Sequence, residues 1–445
     1  MTIHGECQKT KEHPDFRPQG LIQKGAIFFP LLDEDAKEEG IVQSHASFSS
    51  SSSSTTKHKG QIVSVISLMT WMNGSFPQFT SDSENHCKPK EDGDADEADA
   101  KTLEKQSAVF SITEIYQRLR KYLVTTASWT SRLVKLLLII DRRLWVPKEK
   151  GRAQSKRPSN PYPDNIELVA PSDKYPGGGL MDRETKQCFA IQVHRLMQTR
   201  RMREPFFEML MDCLCQDVKL AQELDCTLVI DIVHGPPKEL HKGVVKVCSK
   251  YPTNIGEDDC CIAAWCRQFA QLEGLHCWVK TCDRDLEIIL IRQAKFIPTH
   301  IVLDYEDGRH CDIHQNIAKL KQAGWTIDMY CAAHVLPGTD YFVKSHLTDG
   351  IGVKTIFQAA FALSSSGRLA SVHERQEDLI LLLRMVYSYK LGSKTDLLSV
   401  EAIKERCGNK KNMQWPSSAT LKSAFQDLQN NLVYWETNVF PSVSK

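Results

Sequence analysis

The chain has no Cys-x-x-Cys pair anywhere in its 445 residues, although it carries 15 cysteines. That absence argues against a zinc ribbon. The cysteines are scattered, and Cys213/Cys215 and Cys260/Cys261 read as buried thiols. A long hydrophobic run is also missing. The longest, "LVKLLLII" at 133–140, falls far short of the roughly 20 apolar residues that span a bilayer, so no membrane partner is expected. That run reads as a buried strand. No secretory signal opens the chain, so the expected setting is a reducing cell interior, nuclear or cytoplasmic. Net charge is nearly absent too. Lys and Arg total 56 against 55 Asp and Glu, a formal +1. Any surface for a polyanion must therefore be local.

A chain of this length can bury one large core or two to three modest ones. Residues 1–59 read as poorly ordered, ending in the serine tract "SFSSSSSSTT". Then "QIVSVISLMTW" at 61–71 is β-branched and apolar, a buried strand running into a turn or helix. An acidic insertion follows at 81–101, with the low-complexity stretch "KPKEDGDADEADAK". Ser111 with Glu114 makes a capping box, and Ile112, Ile115, Leu119 and Leu123 follow at helical spacing. "KLLLIID" reads as a strand ending at Asp141, followed by the basic segment "PKEKGRAQSKRP" and a Pro/Gly-rich loop to about Gly179. One helix with a basic face is expected across 191–217. Beyond it, the strands "CTLVIDIV", "HCWVKTCD" and "THIVLDY" alternate with helical stretches, and the last hundred residues read as mostly helical. That alternation predicts an α/β fold with a mainly parallel sheet.

Acids recur at particular places in this pattern. Glu257 and Asp259 begin a helix, Asp283 and Asp285 follow a strand, Asp141 ends another strand, and Asp340 sits in "LPGTDYF". Each alone reads as a cap or a solvated carboxylate. Together, at the carboxyl ends of parallel strands, they would line the ligand crevice. Gathered carboxylates repel unless a cation neutralises them, and oxygen-only ligands suit Mg²⁺ or Mn²⁺.

In order and spacing these motifs resemble the flap endonuclease superfamily, the structure-specific 5′ nucleases of the xeroderma pigmentosum group G type. "GEDDCCIAAW" resembles its Gly-Glu-Ala-Glu-Ala segment, and "TCDRDLEII" its Thr-x-Asp-x-Asp motif. "LPGTDYFVKSHLTDGIGVKT" resembles its Gly-Ser-Asp-Tyr segment followed by Gly-Ile-Gly-Pro-Lys. The resemblance covers roughly 60–370. It implies a PIN-like nuclease core over 60–345, with a helical arch region at 147–225, then a helix-hairpin-helix and helical region over 346–445. It implies two Mg²⁺ or Mn²⁺ ions held by Asp141, Glu257, Asp259, Asp283, Asp285 and Asp340, with Lys150 and Arg157 at the scissile phosphate. Gly350, Gly352 and Lys354 would hold a duplex phosphate, and the basic stretch with Arg200 and Arg201 would meet single-stranded nucleic acid. The implied activity is hydrolysis of phosphodiester bonds in branched or flapped DNA, at duplex/single-strand junctions, or in RNA. Two features depart from the family. The strand expected to carry its first aspartate has Ser64, which leaves a catalytically weakened nucleic-acid-binding relative as the alternative. Asp231, in "LVIDIVHGPP", competes with Asp141 for the second aspartate; Asp141 is preferred because Lys150 and Arg157 follow it.

Overall fold

The computed structural model describes residues 23–24, 60–76, 109–140, 160–233, 235–248, 258–281, 283–305, 309–339, 347–348, 350–393, 396–408 and 413–437. The acidic insertion, nearly all of 1–59, and Asp141, Lys150, Arg157, Glu257 and Asp340 lie outside them. The chain divides into two compact units. The first comprises 1–65, 141–157 and 252–445; the second comprises 66–140 and 158–251. In each, a parallel strand pair is extended by antiparallel strands and flanked by helices, in keeping with the α/β class expected from the alternation.

The chain enters through β1 (Gln23–Lys24) and β2 (Ile62–Ser67). Every residue of β2 is buried, its four β-branched apolar residues together with Ser64 and Ser67. The second unit opens with α1 (Leu68–Ser75), capped by Ser67. In α2 (Ile112–Ala127) both halves of the Ser111/Glu114 capping box form, and Ile112, Ile115, Leu119 and Leu123 are buried. β3 (Leu133–Ile139) follows. The stretch expected as a loop to about Gly179 holds instead β4 (Ile166–Val169), which forms a small antiparallel sheet with β5 (Gly179–Asp182) and β6 (Cys188–Phe189) just beyond it. The long basic helix is broken into α3 (Val193–Leu196) and α4 (Arg200–Gln216), followed by α5 (Val218–Glu223). β7 (Thr227–Asp231) runs parallel to β3, and β8 (Lys238–His241) and β9 (Val244–Val247) extend the pair antiparallel.

Asp217 ties three helices of this unit together. It caps α5 through the Leu220 N–H, and accepts from Tyr116 Oη at 2.7 Å and Arg120 Nε at 2.9 Å, both on α2. Burial alone would raise its pKa, but these three donors outweigh burial and hold the carboxyl below its ordinary value. A depressed folded-state pKa contributes stability above the unfolded value, and that stability is lost as pH falls through the folded value. Asp217→Ala is therefore expected to lower the melting temperature at pH 7 and to flatten the loss of stability below about pH 4. Melting curves from pH 7 to pH 2.5 check this; parallel curves for wild type and variant would refute it.

The first unit resumes with α6 (Asp258–Glu273), β10 (His276–Thr281), α7 (Arg284–Gln293), β11 (Ile301–Tyr305), β12 (Arg309–Asp312) and α8 (Ile313–Gln322). β10 and β11 are parallel, with Cys277 opposite Ile301 and Thr281 opposite Tyr305. β12 returns antiparallel on β11. The His276 N–H donates to Gln61 O, just before β2. Glu287 of α7 is buried, which is costly for a lone carboxylate. Here it accepts from Tyr305 Oη at 2.7 Å and Asn316 Nδ2 at 2.8 Å. Helices α9 (Ile327–Val335) and α10 (Val353–Ser365) pack together, joined by Trp325, whose ring meets those of Tyr330, Phe357 and Phe361. α11 (Gln376–Lys390), α12 (Val400–Cys407) and α13 (Ser418–Thr437) complete the helical end anticipated from the sequence.

Arg292, on α7, locks α13 into this unit. It donates to Leu432 O at 2.8 Å, Asp328 Oδ1 at 2.6 Å and Glu436 Oε2 at 3.0 Å. Gln293 adds a bond to Trp435 O at 2.7 Å. Tyr434 and Trp435 are buried beside it, so α13 belongs to the core.

Candidate active site

β10 ends at Thr281, whose buried hydroxyl accepts the Asp283 N–H at 2.9 Å. Asp283 is extended, and its Oδ1 accepts the Asp285 N–H at 2.8 Å. Asp283 therefore caps α7, and the helix carries Asp285 in its first turn. A carboxylate is favoured there, because the unpaired N–H groups at a helix start carry partial positive charge. The local motif thus fixes both acids just past the carboxyl end of a parallel strand. Asp259 lies in the first turn of α6, which packs on α7, and its side chain is buried.

His334, in the last turn of α9, places Nε2 at 3.1 Å from Asp285 Oδ1. With its proton on Nε2 the imidazole donates to that oxygen. This partner was invisible in the sequence: it lies 49 positions away, and α9 reaches α7 only by packing. No spacing rule would have found it. The oxygen donors of Asp259, Asp283 and Asp285 suit a hard cation such as Mg²⁺ or Mn²⁺. Such an ion would share or displace the His334 contact at Asp285.

No protein-family model matches this sequence, and no curated protein matches it.

The other anticipated site residues fall in different surroundings. Gly350 has φ +71°, a backbone conformation that favours glycine, and Gly352 is the residue before α10. Lys354 is in the first turn of that helix. The three are thus brought to one helix start. Arg201 is engaged within the second unit: its guanidinium donates to Ile166 O at 2.7 Å, Pro163 O at 2.8 Å and Tyr162 O at 3.1 Å. That set holds the start of the small sheet on α4. Arg200 begins α4. Asp231 ends β7, is buried, and stands opposite Ile139 in the β3–β7 register. Ser64 is buried within β2, and its Oγ has no hydrogen-bond partner.

Among the described residues, one group offers three possible metal-ligand atoms within 4.8 Å of one another: His300, Asp312 and His314. Asp259, Asp283 and Asp285 do not form such a group by themselves. The full acidic set anticipated from the sequence includes Asp141, Glu257 and Asp340, outside the described residues. Cys260 and Cys261 are buried thiols, as expected, while Cys213 and Cys215 are only half-buried.

Proposed function

We propose that the protein is a metal-dependent, structure-specific nuclease of the flap endonuclease type, acting on branched or flapped DNA or on RNA. The observation that carries this reading is the placement of Asp283 and Asp285 at the carboxyl end of a parallel strand, on a capped helix start, with the buried Asp259 in the first turn of the helix packed against it. Ligand crevices of open α/β sheets lie at that end. In this reading the core is PIN-like and the α9–α10 pair carries a helix-hairpin-helix. Bound Mg²⁺ or Mn²⁺, held by Asp141, Glu257, Asp259, Asp283, Asp285 and Asp340, would activate water and stabilise the leaving oxygen. Lys150 and Arg157 would offset charge growing on the scissile phosphate. The backbone N–H groups around Gly352, with Lys354, would hold a duplex phosphate by shape and charge, without reading bases. The deciding experiment incubates purified protein with labelled flap, hairpin and single-stranded substrates, with and without Mn²⁺. Cleavage that requires the metal supports the reading; no cleavage of any substrate overturns it.

Grip and chemistry separate by mutation. Lys354→Glu is expected to weaken binding of duplex-containing substrates and to reduce the salt slope by about 1, because one phosphate contact is lost. Arg157→Ala is expected to leave affinity near normal and slow cleavage. Affinities at several salt concentrations, beside single-turnover rates, check both. Unchanged affinity and slope in Lys354→Glu, with binding abolished in Arg157→Ala, would reverse the assignments.

Ser64 favours the second reading, a nucleic-acid-binding relative with weakened catalysis. In this reading the buried Ser64 hydroxyl, with no hydrogen-bond partner among the described residues, stands where the family has a carboxylate. Ser64→Asp places a buried charge there, which is tolerable only beside a cation. The variant is expected to melt below wild type in chelator, to recover part of that loss in Mn²⁺, and to cleave faster. A melting temperature indifferent to Mn²⁺ would mean that Ser64 does not occupy the place of the first aspartate.

A further inference from the structure

A second polar cluster lies at the other end of the same strands. His276 opens β10, His300 immediately precedes β11, Asp312 closes β12, and His314 is in the first turn of α8. The six residues of β10 separate this cluster from Asp283 by roughly 20 Å along the strand. It plays no part in the site described above. The start of β11, the end of β12 and the first turn of α8 converge here, bringing His300, Asp312 and His314 together.

We propose that His300, Asp312 and His314 form a binding site for one transition-metal dication of the zinc class, with two imidazole nitrogens and one carboxylate oxygen as ligands. Three observations carry it. First, the three donor atoms lie within 4.8 Å of one another, and His300 Nδ1 is 3.2 Å from Asp312 Oδ2. Tetrahedral zinc, with bonds of about 2.0–2.1 Å, sets its ligand atoms roughly 3.3–3.4 Å apart. Small side-chain rotations close the difference.

Second, His314 is held in the tautomer a metal needs. Its Nε2 donates to Ile297 O at 3.1 Å, which leaves Nδ1 as a lone pair. That Nδ1 is buried and has no hydrogen-bond partner among the described residues. The His300–Asp312 hydrogen bond satisfies its own two atoms but does nothing for this nitrogen. A cation between the three residues satisfies all of them.

Third, each ligand is braced from behind, as metal ligands commonly are. The His300 N–H donates to His276 Nδ1 at 3.0 Å, and the His276 ring lies against that of His300. The Gln315 N–H donates to Asp312 Oδ1 at 2.9 Å, leaving Oδ2 turned to the cluster.

Two nitrogens and one oxygen select zinc, cobalt or nickel over Mg²⁺ or Ca²⁺, which take oxygen ligands. Three protein ligands leave a fourth position for water. The ion would tie the start of β11 to the end of β12 and the first turn of α8. This is a stabilising role at the amino-terminal edge of the strands, independent of any nuclease activity.

The test uses the full-length chain, free of a histidine tag and treated with chelator, with Co²⁺ and Zn²⁺ alone as probes. One equivalent of Co²⁺ is expected to give visible absorption without a near-ultraviolet sulfur band, and Zn²⁺ should abolish it by displacement. Zn²⁺ should raise the melting temperature by several degrees, since it binds only the folded state. His314→Gln keeps a donor for Ile297 O, and Asp312→Asn keeps the α8 cap. Each is expected to lose at least tenfold in Co²⁺ affinity. No visible absorption in the wild type, a sulfur band that assigns the ion to cysteine, or unchanged Co²⁺ affinity in both variants would overturn the proposal.

Discussion

On the nuclease reading proposed above, replacing Asp283 and Asp285 together by asparagine is expected to lower metal-dependent cleavage by roughly 10²–10³-fold, the scale for losing key electrostatic groups at a reacting phosphate. Melting temperature should change little. Asparagine caps a helix about as well as aspartate, so α7 keeps the bond that Asp283 Oδ1 makes to the Asp285 N–H. An amide oxygen at 285 can still accept from His334 Nε2. The thermal shift produced by Mn²⁺ in the wild type should shrink in the double variant, because the ion loses two charged ligands. Single-turnover rates and melting curves, with Mn²⁺ and with chelator, read both effects. Cleavage at the wild-type rate in a folded double variant would remove these acids from the active site. This double variant leaves His300, Asp312 and His314 untouched, so its outcome and that of the zinc test are independent.

Arg292→Leu carries the largest expected cost in stability. The guanidinium is almost fully buried, and three partners depend on it. Removing one member of a buried ion pair costs about 3–5 kcal/mol when the remaining charge is also buried. Here Asp328 and Glu436 stay 33% and 23% exposed, so water solvates them in part and the expected loss is about 2–3 kcal/mol. For a unit of this size that is a fall of roughly 4–12 °C in melting temperature. Arg292→Lys should recover part of it, since a single ammonium keeps the charge but cannot fork to two acids and a carbonyl. Limited proteolysis beside thermal melts adds the location: cleavage before α13 should accelerate in Arg292→Leu. A melting temperature within 1–2 °C of wild type, below one kcal/mol on that scale, would show that α13 is held by Tyr434 and Trp435 without the arginine.

The two departures from the expected elements share a cause. Strand β4 falls where a loop is expected, because five prolines and three glycines punctuate 158–179. The small sheet exists through pairing of Ile166 with Asp182 and Leu180 with Phe189, and it rests on Arg201 binding three carbonyls from another element. The single helix expected over 191–217 keeps an apolar period throughout. Its break before Arg200 comes where Thr199 turns extended, a conformation no local pattern announced.

Where the determining contacts are short in sequence, the sequence by itself determined the structure. The Ser111/Glu114 box closes within one helical turn, so three residues of spacing suffice to place the start of α2. The β-branched, largely apolar run of β2 and the alternation of strands and helices from 227 onward depend only on local periodicity. The Thr281–Asp283–Asp285 start of α7 is equally local, and so is the glycine at φ +71° before α10. Tertiary structure alone decided what those residues meet. His334 comes to Asp285 from 49 positions away, Asp217 gathers Tyr116 and Arg120 from about 100 away, and Arg292 holds Glu436 across 144. The stretch "HCDIH" at 310–314 shows two histidines flanking an acid, but its ligand geometry needs His300 from the neighbouring strand. The physical reason is the same throughout. Caps and periodic faces are written in neighbouring residues, whereas a buried charge is satisfied only by whatever the packed core brings beside it.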